Sequence, residues 1–231
     1  MNDTRHNTEE HRHASATFDT ELHELRARVL RMGHLVDAQV AAAVEAFVGR
    51  DRAEAQRVVS GDQEVNDLER EIDERCVRLL ALQQPAASDL RFSAAVLKIV
   101  TDLERIGDFA VSIAETVAAL DAGRLRAEQD LRSLAQEALT ILRRDLEAFF
   151  QRDVDAARAW ATADRSVKAW VLRLADEIRD AIVSDPKVVQ NALAVLLTTR
   201  YIERVAEHAT NVAEMAIYTA RGEDIRHQAR R

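Results

Sequence analysis

Residues 95–117 read AVLKIVTDLERIGDFAVSIAETV, and residues 194–216 read AVLLTTRYIERVAEHATNVAEMA. The two stretches align without a gap at an offset of 99 residues, which pairs Glu104 with Glu203, Asp108 with Glu207 and Glu115 with Glu214. At about 100° per residue the three acidic positions fall within roughly 40° of one another on a helix. Leu103, Ile106, Ala110, Ile113 and Val117 occupy the opposite face. Like charges at i, i+4 destabilise an isolated helix by about 0.2–0.5 kcal/mol, so a repeated stripe of this kind suggests a cation held against it. The competing reading is a solvated acidic face, which is what most such stripes are. Repetition at a fixed offset favours the cation.

Working outward, the remaining signals fall into the same two copies. Apolar residues recur at helical spacing from Phe18 through Leu22, Leu25, Val29, Met32, Val36, Val40 and Val44 to Phe47, giving a first helix that ends near Gly49. Asp51 caps a second helix that runs to about Leu82, a connection around Pro85 follows, and a third helix stops at Gly123 as its C′ glycine. In the second copy a fourth helix spans about Arg126 to Gln151, Asp153 caps a fifth reaching Val183, and Pro186 opens a sixth that ends at Gly222. The predicted architecture is therefore all-α, with six long antiparallel helices in two pseudo-symmetric three-helix bundles, residues 18–123 and 126–222. Residues 1–17 are polar and expected to be disordered, and Glu10 and His13 within them form no preorganised metal motif.

Composition agrees with this plan. Six glycines and two prolines leave little material for turns, and a 47% hydrophobic content is ample for a core. A net charge of −8 argues against nucleic acid or anionic lipid as the main partner. The single cysteine, Cys76, excludes an intrachain disulfide and a cysteine-cluster metal site, and reads as a buried, inert thiol. No apolar run approaches the ~20 residues needed to span a bilayer. Residues 1–18 lack the apolar segment of a signal peptide, so a cytoplasmic location is expected. His23, His34 and His227 read as surface residues, and Trp160 and Trp170 as core anchors.

The second helix carries its own stripe, Asp62, Asn66, Glu69 and Asp73. Packed beside the third helix, the two stripes would offer six carboxylates and an amide, oxygen donors suited to Mg²⁺, Ca²⁺, Mn²⁺ or iron. Catalysis finds less support. The inward-facing Glu-x-x-His pairs of di-iron carboxylate bundles are missing from the helical segments, as are a nucleophile elbow, a Walker loop and a dinucleotide fingerprint.

These residues resemble the PhoU family. The match runs through FDTELHELRARVLRMGHLVD from Phe18, GDQEVNDLEREIDERC from Gly61, QQPAASDLR from Gln83, LKIVTDLERIGDFAVSIAE from Leu97 and YIERVAEHATNVAEMA from Tyr201. It covers about residues 18–220. The resemblance implies two three-helix bundles and a cytoplasmic, non-enzymatic, metal-binding regulator of phosphate homeostasis. Such a protein restrains high-affinity phosphate uptake and phosphate-regulon signalling through the transporter's ATPase subunit and the sensor histidine kinase, and it forms a homodimer. Its cofactors would be divalent or trivalent metal ions: iron, manganese, magnesium or zinc. Carried over by position, the ligands are Asp62, Asn66, Glu104 and Asp108, with Glu115 as an addition, and in the second copy Asp164, Glu203 and Glu207, with Asn211 and Glu214 as additions.

The pattern departs at Glu207, where aspartate is usual, and at Lys168, which stands where an Asn66-like ligand is expected. Arg200 lies one turn before Glu203, whereas Thr101 holds the corresponding place in the first copy. The first stripe, without a basic neighbour of its own, is expected to bind metal more tightly than the second. The rival classes are a helical carboxylate metalloenzyme and a metal-binding scaffold unrelated to phosphate.

Overall fold

The protein is described by a computed structural model covering residues 3–83, 87–223 and 225, with side chains described over 20–81, 88–223 and 225. Seven α-helices account for most of it: α1 (Asp3–Gly49), α2 (Arg52–Gln83), α3 (Ala87–Thr116), α4 (Leu131–Gln151), α5 (Val154–Trp160), α6 (Asp164–Ser184) and α7 (Val189–Arg221). Short 3-10 turns at Val117–Ala119, Arg126–Asp130 and Pro186–Val188 complete the described elements, which include no strand. The all-α class and the two three-helix bundles are thus present, with the expected fifth helix in two pieces, α5 and α6. Of the tail at 1–17, the backbone from Asp3 onward belongs to α1, and the linker at Pro85 and His227 lie outside the described residues.

Each bundle forms because the apolar stripes of its helices close on one another. Leu25, Val29, Met32, Val36, Val40 and Phe47 of α1 meet Val65, Leu68 and Ile72 of α2 and Ile99, Leu103, Ile106 and Ile113 of α3, all buried. Leu134, Ala138, Leu142 and Phe149 of α4 do the same with Val167, Val171 and Leu174 of α6 and Val195, Ile202 and Val205 of α7. Burying one such aliphatic or aromatic side chain contributes roughly 1.5–3 kcal/mol. The two cores are continuous, because α3 packs along α7 and α4 packs along both α7 and α1. Phe92 of α3 stacks on Phe149 of α4 at 5.4 Å between ring centroids. Trp160 and Trp170 lie half-buried against this core, as anchors should, and Cys76 is buried and free. His23 and His34 are exposed. Among the described residues no helix is long and apolar enough to cross a membrane.

The two copies leave their first helices in the same way. Arg50 and Arg152 adopt left-handed φ values of 57° and 55°. The amide of Asp51 donates to Ala46 O, and that of Asp153 donates to Ala148 O, both at 2.9 Å. Asp51 then accepts the Glu54 amide, and Asp153 accepts those of Asp155 and Ala156, so both aspartates are N-caps. At the far end Gly222 closes α7 in the left-handed conformation, its φ being 73°.

Three boundaries differ from expectation. The third helix stops at Thr116, and Gly123 does not serve as its left-handed cap. Gly123 instead lies in a loop drawn tightly onto α7, where Asn191 Nδ2 and Arg50 Nη2 each donate to its carbonyl at 2.6 Å. A Cβ there would lie 3.1 Å from both Asn191 and Asp121, so glycine serves close approach rather than a turn. The fourth helix is a 3-10 turn until Leu131. The expected fifth helix breaks at residues 161–163, where Ala163, Arg165 and Ser166 donate to carbonyls three residues back. The break accompanies a change of size: Trp160 holds the place of Val58, which is buried in the unbroken α2. The larger ring stays half-exposed while the helix unwinds by a turn beside it.

Candidate functional site

α2 and α3 run side by side and bring the two acidic stripes of the first bundle onto one surface. They approach tightly at Gly107, where an added Cβ would lie 3.3 Å from Asp62 Oδ1 and 3.4 Å from Val65 Cγ1. Lacking that carbon, α3 lets α2 approach until Asp62 faces the Asp108 side of its neighbour. Asn66, one turn along, donates its amide to Asp62 Oδ2 at 2.9 Å, which turns the other carboxylate oxygen toward Gly107. Asp62, Asn66, Glu69, Asp73, Glu104 and Asp108 are all half-buried on this face. Glu115 is exposed and lies two turns past Asp108, about 10 Å along the axis; the packing does not bring it to the others.

The electrostatics follow from crowding. Burial pushes the Asp62 carboxyl above the usual range, the Asn66 hydrogen bond opposes the shift, and the Asp108 charge adds to it. Glu104 is raised by burial first and then by Asp108, with Arg105 opposing and Glu69 and Asp62 adding further repulsion. Glu69 is raised by burial and by Asp73 and Asp108 against the pull of Arg105, and Asp73 by burial. Four neighbouring carboxyls that all resist ionisation mark a surface short of positive charge.

That surface is not entirely without a base, which corrects the expectation of a stripe with no basic neighbour. Arg105 reaches in from the edge, its Nη1 donating to Asp108 Oδ2 at 3.0 Å and its Nε lying 3.5 Å from Glu104 Oε2. A side chain at i+1 of one ligand is also at i−3 of the next, and that second relation makes the contact.

The second bundle repeats the spacing and alters the chemistry. Asp164, Lys168, Glu207, Asn211 and Glu214 line one polar cleft of about 410 Å³, joined by Arg165 and Arg204. Glu207 pairs with Arg204 at 2.6 Å and with Lys168 at 3.9 Å. Glu203, the ligand expected at the place of Glu104, is withdrawn from the surface. It is only 3% exposed, and the Arg200 guanidinium closes over it in an i, i+3 pair. Glu203 does not line the cleft that holds Glu207.

Where α3 crosses α7, the repeats touch through their acidic helices. Asp102 Oδ1 lies 2.7 Å from His208 Nδ1 and accepts from Asn211 Nδ2 at 2.8 Å. The reciprocal position holds Tyr201 stacked on Phe109, centroids 6.2 Å apart. Asn211 therefore touches the second cleft and an aspartate of the first repeat at once. Sequence reading placed His208 on another face without finding its partner, because the two residues lie 106 positions apart.

The donor set fits a hard cation. Carboxylate and amide oxygens that are partly desolvated and repel one another gain most from a di- or trivalent ion. Among the described residues no three His, Cys, Asp or Glu side chains converge on one point. The first stripe is a row of oxygens rather than a closed cage, an arrangement for ions that keep part of their water shell. Asp62, Asn66, Glu104 and Asp108 are the residues that would hold it.

Architecture and site together define a helical tandem-repeat protein with an acidic helix pair in each half. The PhoU domain matches residues 29–117 and again 131–216. The chain is 39% identical over 217 residues to the phosphate-specific transport system accessory protein PhoU homolog of Pseudomonas putida, covering 93% of this chain and 85% of that one. It is 34% identical over 219 residues to the phosphate-specific transport system accessory protein PhoU of Escherichia coli K12, covering 94% and 90%. The crystal structure of PhoU from Pseudomonas aeruginosa superposes with a TM-score of 0.85 at 37% identity, over 89% of this chain and all of that one. The phosphate transport system regulatory protein PhoU from Streptococcus pneumoniae superposes at 0.83 and 31% identity, over 90% and 98%. The chain belongs to the PhoU family. Its relatives are named as accessory and regulatory proteins, in agreement with the non-enzymatic reading.

Proposed function

We propose that this chain is the regulatory accessory protein of a phosphate-specific transport system and carries out no chemistry of its own. Working in the cytoplasm, it restrains high-affinity phosphate uptake and phosphate-regulon signalling when phosphate is plentiful. It does so as a homodimer that contacts the transporter's ATPase subunit and the sensor histidine kinase. A metal ion on the first acidic stripe holds α2 and α3 in register and presents the surface that these partners meet. The observation that carries this reading is the doubled PhoU domain, matched over most of the chain together with named phosphate-transport accessory relatives.

Deleting the gene and measuring phosphate uptake in phosphate-rich medium tests the proposal. Derepressed uptake, restored by the intact chain, supports it. Unchanged uptake would overturn it, in favour of a metalloenzyme if the purified protein turns over a phosphoester. If metal limitation alone changes the phenotype, a metal scaffold replaces it.

A further inference from the structure

Beneath the first acidic stripe lies a side chain that the two-helix description of the site leaves out. Gln39 of α1 is 7% exposed, and among the described residues neither its Oε1 nor its Nε2 has a hydrogen-bond partner. Its amide sits between two glycines, one on each helix of the stripe. A Cβ added at Gly107 would lie 3.5 Å from Gln39 Oε1 and 3.3 Å from Asp62 Oδ1, and one added at Gly61 would lie 3.9 Å from Gln39 Nε2. Gln39 Oε1 and Asp62 Oδ1 thus flank the same point beside Gly107, where α2 meets α3. A buried amide with nothing to bind is disfavoured, and here a carboxylate oxygen of the stripe borders the same glycine as the amide oxygen.

The second repeat shows what the same frame looks like without this device. The shared turn at Arg50 and Arg152 sets an offset of 102 residues, and at that offset Gln39 corresponds to Ile141 and Gly61 to Ala163. At the offset of 99 for the acidic helices, Gly107 corresponds to Ala206. Ile141 and Ala206 are fully buried. A polar floor reached through two glycines is thus confined to the repeat whose carboxylates are short of positive charge. In the repeat with Lys168 and Arg200 the equivalent positions are apolar, and the buried polar group of α4, Asp145, lies one turn further along, where α1 has Ala43.

We propose that Gln39 supplies the amide oxygen that completes the cation site of the first repeat from below, directly or through one ion-bound water, and so ties α1 to the α2–α3 pair when metal is bound. This rests on the metal reading of the first stripe given above. The amide is a positioning and ligating group, and its carbonyl oxygen is the atom that matters.

The test is titration of the full-length, metal-stripped protein with Mn²⁺, following both affinity and the metal-induced rise in melting temperature. Gln39→Leu is expected to weaken Mn²⁺ binding by about tenfold, the scale of losing an outer-shell partner, and to shrink the thermal shift. The metal-free variant should melt at or above the intact protein, since an unpartnered buried amide has been removed. Gln39→Glu, which keeps an oxygen at the same reach, is expected to retain binding. Wild-type affinity in Gln39→Leu would overturn the proposal while leaving the metal reading intact. If Glu104→Ala/Asp108→Ala also binds Mn²⁺ as the intact chain does, the metal reading fails and this inference falls with it. Equal loss in Gln39→Leu and Gln39→Glu would likewise overturn it, because the amide would then be a packing element only.

Discussion

In the first repeat Asp62, Glu69, Asp73, Glu104 and Asp108 share one half-buried surface, with Arg105 paired to Glu104 and Asp108. In the second, Glu203 is closed off by Arg200, while Glu207 is held by Arg204 and Lys168. Arg105 and Arg204 are equivalent at the offset of 99, so Arg200, Lys168 and Arg165, which stand where the first repeat has Thr101, Asn66 and Gln63, set the two sites apart. The stripe on α2 also fades, because Glu69 and Asp73 become Val171 and Ala175 on α6. One backbone plan therefore carries two electrostatic solutions: an acidic face left short of positive charge, and one neutralised by side chains of its own chain. A spacing motif identifies the place on the helix, and the residues around it decide whether the place is open.

The difference extends into the core, where the largest effect is expected. Asp145 of α4 is fully buried with both carboxylate oxygens unpartnered, and its counterpart in α1 is Ala43. Burial pushes the Asp145 carboxyl up to about 8. In the unfolded chain the group ionises near the ordinary aspartate value, so between that pH and about 8 the unfolded state is progressively favoured and stability falls as pH rises. At pH 7 the deficit is on the order of 4 kcal/mol. Asp145→Asn should therefore stabilise the protein at neutral pH, with a gain that shrinks toward zero below the ordinary aspartate pKa, in urea unfolding measured across this range. Parallel pH profiles for the two proteins would show that the second repeat carries no such penalty.

Next in size is the ion pair over Glu203. Arg200→Ala leaves a buried carboxylate without its partner and is expected to cost about 1–3 kcal/mol. Arg105→Ala, which removes an exposed arginine beside two half-buried carboxylates, should cost about 0–1 kcal/mol. Equal losses would erase the distinction between a closed site and an open one. The smallest effect belongs to a pair that joins the repeats without belonging to either site. Arg132 of α4 forks onto Glu45 of α1 at 2.7 and 2.8 Å, and its hydrogen bonds and charge hold the Glu45 carboxyl below the usual range. Both side chains are exposed, and a double-mutant cycle on Glu45 and Arg132 should return a coupling of about 0–1 kcal/mol that fades with salt.

Much of the fold could be read from local chemistry. Asp51, Asp153, Pro186 and Gly222 act where their side chains or ring say they should, and the acidic stripes share a face because 3.6-residue periodicity requires it. The ion pair of Arg200 with Glu203 also follows from spacing along one helix. What escaped depends on contacts between distant segments. Gly123 looked like a helix terminator but serves a close approach to Asn191, 68 residues away. The break in the fifth helix reflects a tryptophan in a valine-sized place, and the burial of Glu203 reflects how the Arg200 side chain folds back. Gln39 left one faint trace, a polar residue among the apolar positions of the first helix. Its significance appeared only once Gly61 and Gly107 were brought around it.

The two repeats are expected to differ in cation affinity, with the first open and the second self-neutralised. Calorimetric titration of Mn²⁺ into Glu104→Ala/Asp108→Ala and into Glu203→Ala/Glu207→Ala, each against the intact chain, tests this difference. A loss of at least about tenfold is expected for the first pair and a change within about twofold for the second. A larger loss from the second pair than from the first would contradict it.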